Sequence, residues 1–102
     1  MDNHFSLEGK TFLVTGSTTG LGRAMANALG AAGARVAMNY QNNTERAESA
    51  FNDFKGNGYE GGLFRASVID PEDIHRLRKE IESELGPVDG FVVNATPAQP
   101  LK

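Results

Sequence analysis

Apolar residues in this sequence occur in two alternating patterns, short continuous runs and longer stretches with helical spacing. The continuous runs predict four β-strands, at residues 11–15, 35–40, 62–68 and 88–94. The stretches between them predict three α-helices. Because strands and helices alternate along the whole chain, the pattern indicates βαβ units and a parallel sheet.

The first two predicted helices have recognisable ends. The first covers residues 20–32 and stops at Gly33, and the second starts at an N-cap residue, Thr44, and ends near residues 56–58. The apolar positions of the first helix at helical spacing are Leu21, Ala24, Met25, Ala28 and Ala32.

The third predicted helix is opened by an Asp70 cap and Pro71 in the first helical position, and it is stopped by Gly86. Its predicted buried stripe consists of Ile74, Leu77, Ile81 and Leu85. If the chain is a dinucleotide-binding half, right-handed crossovers give the strand order 3-2-1-4. The predicted fold is therefore α/β, the N-terminal half of a Rossmann-type doubly wound parallel sheet.

Length and composition limit the possible classes of protein. The 102 residues predict one domain, 1–102, with 39% hydrophobic and 23% charged residues and a net charge of -3. We find no basic cluster, so we expect no nucleic-acid partner. The chain has no cysteine and no His pair with ligand spacing, which predicts no metal site. No apolar run suits a signal peptide or a membrane span, so we expect a cytoplasmic protein without membrane contact.

The segment TGSTTGLG, residues 15–22, lies where the first predicted strand meets the first helix. A phosphate can approach a helix N-terminus only where backbone N–H groups face it and no Cβ blocks the way. Gly16, Gly20 and Gly22 meet this need. On spacing alone a plain glycine turn is an equally good interpretation, but the position between strand and helix favours a phosphate-binding loop.

The pattern TGxxxGxG resembles the glycine motif of the short-chain dehydrogenase/reductase family. The segments LEGK (7–10), GRA (22–24), GARV (33–36) and GPVD (86–89) are similar to the same family, particularly its 3-oxoacyl-carrier-protein-reductase-like members. The resemblance covers nearly the whole chain. It implies a nicotinamide dinucleotide partner and an NAD(P)-dependent oxidoreductase that transfers hydride between this cofactor and a carbonyl or alcohol substrate.

The resemblance implies cofactor contacts at several positions. It places Gly16, Ser17, Thr18 and Leu21 along the pyrophosphate and adjacent ribose, within the motif that also holds Gly20 and Gly22. At the end of the second strand the family's NAD-using members have an acid that binds the ribose hydroxyls and repels a 2′-phosphate. Asn39, followed by Tyr40, stands there instead. We therefore favour NADP(H) over NAD(H), although Thr19 occupies the loop position where many NADPH-using members have a basic residue.

Two further segments are implied to contact the cofactor, and both depart from the family pattern. Ser67 and Val68 occupy the adenine position, where family members have Asp or Asn before Val, and the shorter serine predicts weaker adenine binding. Asn94 and Ala95 lie on the nicotinamide side. The family's Asn-Asn-Ala-Gly is Val93-Asn94-Ala95-Thr96 in this chain, so Thr96 adds a side chain where the family has none.

The resemblance assigns no catalytic residue to this chain. The family's catalytic serine and Tyr-x-x-x-Lys pair lie downstream of position 96, and neither Tyr40 nor Tyr59 is followed by a lysine four residues later. We therefore expect the catalytic half to be absent and the 102 residues alone to be inactive. The apolar strand at 91–93 predicts a neighbour, either a remaining C-terminal half or a second copy.

Two alternatives stay open. One is a catalytically silent nucleotide-binding or sensing module. The other is a fold similar to S-adenosylmethionine-dependent methyltransferases, which the threonine-led TGxxxGxG and Asn94 at the strand end disfavour.

Overall fold

The computed structural model describes residues 6–17 and 20–93, which form a four-stranded parallel sheet with three helices. The elements in chain order are β1 (Thr11–Val14), α1 (Gly20–Ala31), β2 (Arg35–Tyr40), α2 (Thr44–Gly56), β3 (Glu60–Arg65), α3 (Pro71–Leu85) and β4 (Gly90–Val92). The strand order is β3-β2-β1-β4, and every neighbouring pair is parallel. The predicted fold class and strand order are confirmed.

Helices cover both faces of the sheet, because successive side chains of a strand point to opposite sides. One face packs against α1 and α2 through a core cluster of Val14, Ala26, Ala34, Val36, Met38, Ala50 and Phe54. The opposite face packs against α3 through a second cluster of Leu13, Ala37, Phe64, Ala66, Leu77 and Ile81. The nearly continuous apolar runs of β1 and β2 therefore serve two cores at once, as expected for parallel strands.

Helix α1 contacts the sheet through its smallest residues. Its buried positions are Gly22, Ala26 and Gly30, whereas Leu21, in the apolar stripe noted in the sequence, is 66% exposed. Small side chains let the helix axis approach the strands closely, so the core face of α1 carries little hydrophobic signal. The apolar stripe predicted from the sequence therefore does not mark the packed face, since none of its residues is fully buried.

Several predicted element ends differ from the structure. Strand β1 ends at Val14 rather than at residue 15, and β3 runs from Glu60 to Arg65 rather than over 62–68. Strand β4 is confined to Gly90–Val92, and residue 94 of the predicted range lies outside the described residues. The predicted start at residue 62 leaves out Glu60 and Gly61, which have no apolar side chain to indicate a strand.

Helix α2 is capped one residue earlier than predicted. Asn43, rather than Thr44, is the N-cap, with a left-handed backbone at φ 59°, and its side-chain Oδ1 accepts from the Arg46 N–H at 3.0 Å. Asparagine tolerates this conformation better than threonine, whose Cβ is branched.

Helix α3 begins as predicted, since the Asp70 Oδ1 accepts from the Glu72 N–H at 3.0 Å and Pro71 occupies the first turn. Leu77 and Ile81 are fully buried, but Ile74, predicted to be buried with them, is 39% exposed. Within the part of the chain that the structure describes, none of the helices has the length and apolarity needed to cross a membrane.

Candidate functional site

The loop between β1 and α1 has the backbone that the glycine motif predicts. Gly16 and Gly20 have φ values of 59° and 56°, a region that residues with a Cβ rarely adopt. A Cβ built at Gly20 would meet no heavy atom within 4 Å, so the space in front of it is open. Thr18 and Thr19, the middle of the loop, lie outside the described residues.

The N-terminus of α1 is electrostatically suited to an anion. The helix starts at Gly20, and its first turn contains no acidic residue, so the partial positive charge of its first N–H groups is not neutralised locally. Gly22 is buried in the same turn, which brings the helix start close to the sheet. An open glycine backbone followed by a helix N-terminus is the arrangement that binds phosphate groups.

Ser17 connects this loop to the end of β2. Its Oγ donates to the Asn39 carbonyl oxygen at 3.2 Å and accepts from the Asn39 N–H at 2.8 Å. The Ser17 N–H donates to the same carbonyl oxygen at 3.2 Å. Since both residues are buried, the Ser17 hydroxyl is engaged with the protein backbone. Two residues predicted to contact the cofactor are thus joined to each other.

The side chain of Asn39 turns towards β3. Its amide nitrogen donates to the carbonyl oxygens of Phe64 at 3.4 Å and Ala66 at 3.3 Å. Asn39 lies inside β2, which ends one residue later at Tyr40. Tyr40 is half-buried, and its hydroxyl lies 3.5 Å from the Thr44 Oγ1. Asn39 is therefore buried, and Tyr40 is the residue of the two that reaches the surface at the end of β2.

Ser67 and Val68 follow the end of β3. The Ser67 N–H donates to the Asp73 Oδ2 at 2.9 Å, and Val68 is 36% exposed. The hydrogen bond from the Ser67 backbone, with a second from Arg76, holds the pKa of the Asp73 carboxyl below its ordinary value. A carboxylate of the first turn of α3 therefore fixes the segment predicted to contact adenine.

A polar cleft of about 510 Å³ opens beyond the ends of β2 and β3. Its lining residues are Gln41, Asn42, Arg65, Ala66, Ser67, Asp73 and Arg76. The carboxyl ends of β1, β2 and β3 meet at this edge of the sheet, which is where open α/β sheets bind their ligands. The cleft and the glycine loop therefore lie along one edge.

The structure gathers most of the predicted site residues at this edge. Gly16, Ser17, Gly20, Leu21 and Gly22 come from the first loop and helix, whereas Asn39, Tyr40, Ser67 and Val68 come from the ends of the next two strands. Thr18, Asn94 and Ala95 lie outside the described residues.

Sequence reasoning missed the polar side chains of α3 that line the cleft. Asp73 and Arg76 line the cleft, and Glu80 lies beyond it on the same face of α3 because the three residues have three- and four-residue spacing. Arg76 pairs with both acids at 3.2 and 2.9 Å. This spacing could have revealed the ion pairs but not their position at the cleft. Over residues 6–17 and 20–93 no three His, Cys, Asp or Glu side chains group as metal ligands would.

A parallel sheet in the order β3-β2-β1-β4 with a glycine loop after β1 defines the Rossmann-type nucleotide-binding class. A family model for the short chain dehydrogenase matches residues 10–101. The chain therefore belongs to the short-chain dehydrogenase family.

Individual relatives agree with this assignment. The chain is 36% identical over 91 residues to the 2-dehydro-3-deoxy-D-gluconate 5-dehydrogenase of Formosa agariphila, an alignment that covers 89% of this chain and 34% of the relative. A dehydrogenase/reductase from Sinorhizobium meliloti has a similar structure, with a TM-score of 0.83 and 38% identity over 88% of this chain and 36% of that one.

A third similar protein was solved with NADPH bound. It is a blue fluorescent protein from a metagenomic library in complex with NADPH, with a TM-score of 0.81 and 30% identity over 89% of this chain and 38% of that one. The chain spans about a third of the length of the proteins that it matches.

Proposed function

We propose that this chain binds the adenosine and pyrophosphate portions of NADP(H) or NAD(H), with a preference for NADP(H). The protein to which it contributes is proposed to transfer hydride between this cofactor and a carbonyl or alcohol substrate. The observation that carries the proposal is the loop with left-handed glycines at Gly16 and Gly20, open in front of Gly20 and set at the N-terminus of a helix without an acid in its first turn.

The pyrophosphate is the part of the cofactor that this backbone suits. Two phosphates carry negative charge, and the unpaired N–H groups of a helix start provide donors and partial positive charge together. The buried tether between Ser17 and Asn39 supports the proposal, because it fixes the loop before a ligand arrives. Less conformational entropy is then lost on binding. Thr18 and Leu21 are proposed to complete the contacts around the pyrophosphate and its ribose.

The adenosine end is proposed to lie against Tyr40, Ser67 and Val68. Tyr40 and Val68 are partly exposed at the edge where the strands end, and Ser67 is held by Asp73. Asn39 is proposed to act by joining β2 to β3 rather than by touching the ribose, since its amide is buried against two carbonyl oxygens. Asn94 and Ala95 are proposed for the nicotinamide side by family resemblance alone.

A neighbour along β4 is also part of the proposal. Phe91 is 57% exposed in a strand that, among the described residues, pairs only with β1. An exposed apolar edge strand favours pairing with another segment. Further sequence of a short-chain dehydrogenase, or a second copy of this chain, is proposed to cover it.

The experiment compares Gly20→Asp with Gly58→Asp. Both glycines have positive φ, 56° and 87°, and neither would meet a heavy atom within 4 Å if a Cβ were added. The two variants therefore impose a similar backbone strain and the same charge, but Gly58 lies in the turn between α2 and β3. Binding of NADPH and NADH is measured by isothermal titration calorimetry, and folding by circular dichroism.

We expect Gly20→Asp to raise the Kd for NADPH by about tenfold or more, because a carboxylate beside a phosphate costs roughly 1–4 kcal/mol. Gly58→Asp should bind as the wild type does. If both variants are folded and bind equally well, or if the wild type binds neither nucleotide at about 1 mM, the proposed site is wrong.

A further inference from the structure

We infer that Arg65 recognises the 2′-phosphate of NADP(H) and so selects NADP(H) over NAD(H). The inference rests on the proposed function, and it adds the residue that distinguishes the two cofactors. NADP(H) differs from NAD(H) by one phosphate on the adenosine ribose, so a selective site needs a positive charge directed at that phosphate and no opposing carboxylate.

Arg65 stands where the adenosine ribose is expected. It is the last residue of β3 and lies in register with Tyr40, the last residue of β2. Its Nε donates to the Gln41 carbonyl oxygen at 3.3 Å, which brings the guanidinium to the first residue beyond β2. In Rossmann-type sites the segment just after this strand contacts the adenosine ribose.

Within the described part of the chain Arg65 forms no ion pair, although it attracts the Asp73 carboxylate at longer range. Across residues 6–17 and 20–93 no carboxylate forms an ion pair with it, and its guanidinium makes only the Nε hydrogen bond to Gln41. Both terminal NH₂ groups therefore remain available to a ligand. A guanidinium with two such groups can donate two parallel hydrogen bonds to one phosphate.

Arg76, the other arginine of the cleft, is already engaged. Its Nη1 donates to the Glu80 Oε2 at 2.9 Å, and its Nη2 donates to the Asp73 Oδ1 at 3.2 Å and to the Arg65 carbonyl oxygen at 3.3 Å. Two carboxylates thus offset its single charge.

The residues that line the cleft carry two positive charges, on Arg65 and Arg76, and one negative charge, on Asp73. Gln41 and Asn42 are uncharged, and Asp73 is the acid among the lining residues. Its carboxylate is occupied by the Ser67 N–H and by Arg76. A phosphate in the cleft would therefore meet the Arg65 guanidinium, whose two terminal NH₂ groups have no partner within residues 6–17 and 20–93. Arg65 would therefore supply the attraction for the 2′-phosphate. Thr19 cannot supply it, because it is uncharged and stands at the loop position where many NADPH-using members have a basic residue.

The test measures the Kd of NADPH and NADH for the wild type, Arg65→Gln, Arg65→Lys and Arg78→Gln by isothermal titration calorimetry. Arg78 is the matched control, because it is an exposed arginine of α3 that pairs with Glu82 at 3.7 Å and does not line the cleft. Thermal unfolding without nucleotide shows whether each variant is folded.

We expect Arg65→Gln to weaken NADPH binding by about tenfold or more and NADH binding by less than about twofold. Arg65→Lys should recover part of the NADPH affinity because it restores the charge, and Arg78→Gln should change neither Kd. Added salt should weaken NADPH binding more in the wild type than in Arg65→Gln.

Three outcomes overturn the inference, and they differ in what they say of the proposed function. If the wild type binds both nucleotides and Arg65→Gln changes the two affinities equally or not at all, Arg65 is not the selective residue and the proposed function stands. If the wild type binds neither nucleotide, both fail. Loss of NADPH binding that Arg65→Lys does not partly restore also contradicts recognition by charge.

Discussion

The Ser17 hydroxyl holds both the N–H and the carbonyl oxygen of Asn39, at 2.8 and 3.2 Å, in the buried contact between the glycine loop and β2. The Ser17 side chain thus supplies the acceptor for a buried Asn39 N–H that would otherwise lack one. Asn39 continues the connection to β3 through its own amide. The three segments proposed to contact the cofactor are therefore held together by hydrogen bonds that involve no ligand.

Replacement of Ser17 by alanine should destabilise the fold. The Asn39 N–H would lose a buried acceptor, which costs about 1–3 kcal/mol. The control is Ser49→Ala, at an exposed position of α2, which should change the unfolding free energy by no more than about 0.5 kcal/mol. Urea unfolding followed by circular dichroism measures both. Equal stabilities of the two variants would show that the Ser17 contact contributes nothing.

Removal of the Asp73 charge should change how stability depends on pH. The pKa of Asp73 is lowered in the folded state by the hydrogen bonds from Ser67 and Arg76. The carboxylate therefore stabilises the fold fully above its unfolded pKa of about 4, and this contribution is lost as the pH falls through the lower folded pKa.

We expect Asp73→Asn to have a lower Tm than the wild type at neutral pH, and the difference should shrink as the pH is taken below about 4. Asp73→Ala should show the same convergence, since it also lacks the charge. Thermal melts at a series of pH values check this. A Tm difference that stays constant into strong acid would contradict the contribution assigned to the carboxylate.

Gly30 allows α1 to lie against two aromatic rings. A Cβ at this position would come within 2.7 Å of the Tyr59 Cγ and 2.9 Å of the Phe54 Cε1, where the two rings pack edge to face. Gly30→Ala should therefore cost about 1–3 kcal/mol of stability by overpacking.

Gly56→Ala is the matched control for Gly30→Ala. Gly56 is also helical, and an added Cβ there would meet nothing within 4 Å. This change should be neutral or stabilise by up to about 1 kcal/mol. Denaturant unfolding of both variants distinguishes a steric cost from a general effect of alanine. Comparable stabilisation by both would exclude close packing at Gly30.

The exposed edge of β4 should govern self-association of the 102-residue chain. Phe91→Lys places a charge on this edge and should shift the chain towards monomer, because a charged edge strand resists pairing. Ile69→Lys changes an equally apolar and more exposed residue in the turn after β3, and it should leave association unchanged. Sedimentation velocity checks both. A monomeric wild type, or equal effects of the two variants, would rule out a second copy along β4.

The sequence predicted the architecture well because its strongest signals coincide. Apolar strand runs, the Asp70-Pro71 helix start and the glycine loop each indicate a local structure, and all of them agree with one parallel sheet. The packed face of α1 was not predictable by the same means. Gly22 and Gly30 contribute to packing by having no side chain, and hydrophobic periodicity detects only apolar side chains that are present.

The candidate site was predictable by position but not by side-chain direction. The motif located Ser17, and the ends of the second and third strands located Asn39 and Ser67. Nothing in a linear pattern indicates that Asn39 turns towards the β3 carbonyl oxygens, or that Asp73 reaches back to the Ser67 N–H. These contacts depend on how strand ends and a helix start meet in space. The charge of Arg65 at the cleft likewise depends on its register with Tyr40.

The central claim is that a nicotinamide dinucleotide binds along the carboxyl edge of the sheet, at the glycine loop. The most direct measurement is a titration of ¹⁵N-labelled protein with NADPH, followed through the amide chemical shifts. We predict saturable shifts at Gly16, Ser17, Gly20 and Ser67, all with one Kd, while Gly58, at the opposite edge, stays unchanged. Absence of shifts at the glycine loop, or shifts confined to the opposite edge, would contradict the claim.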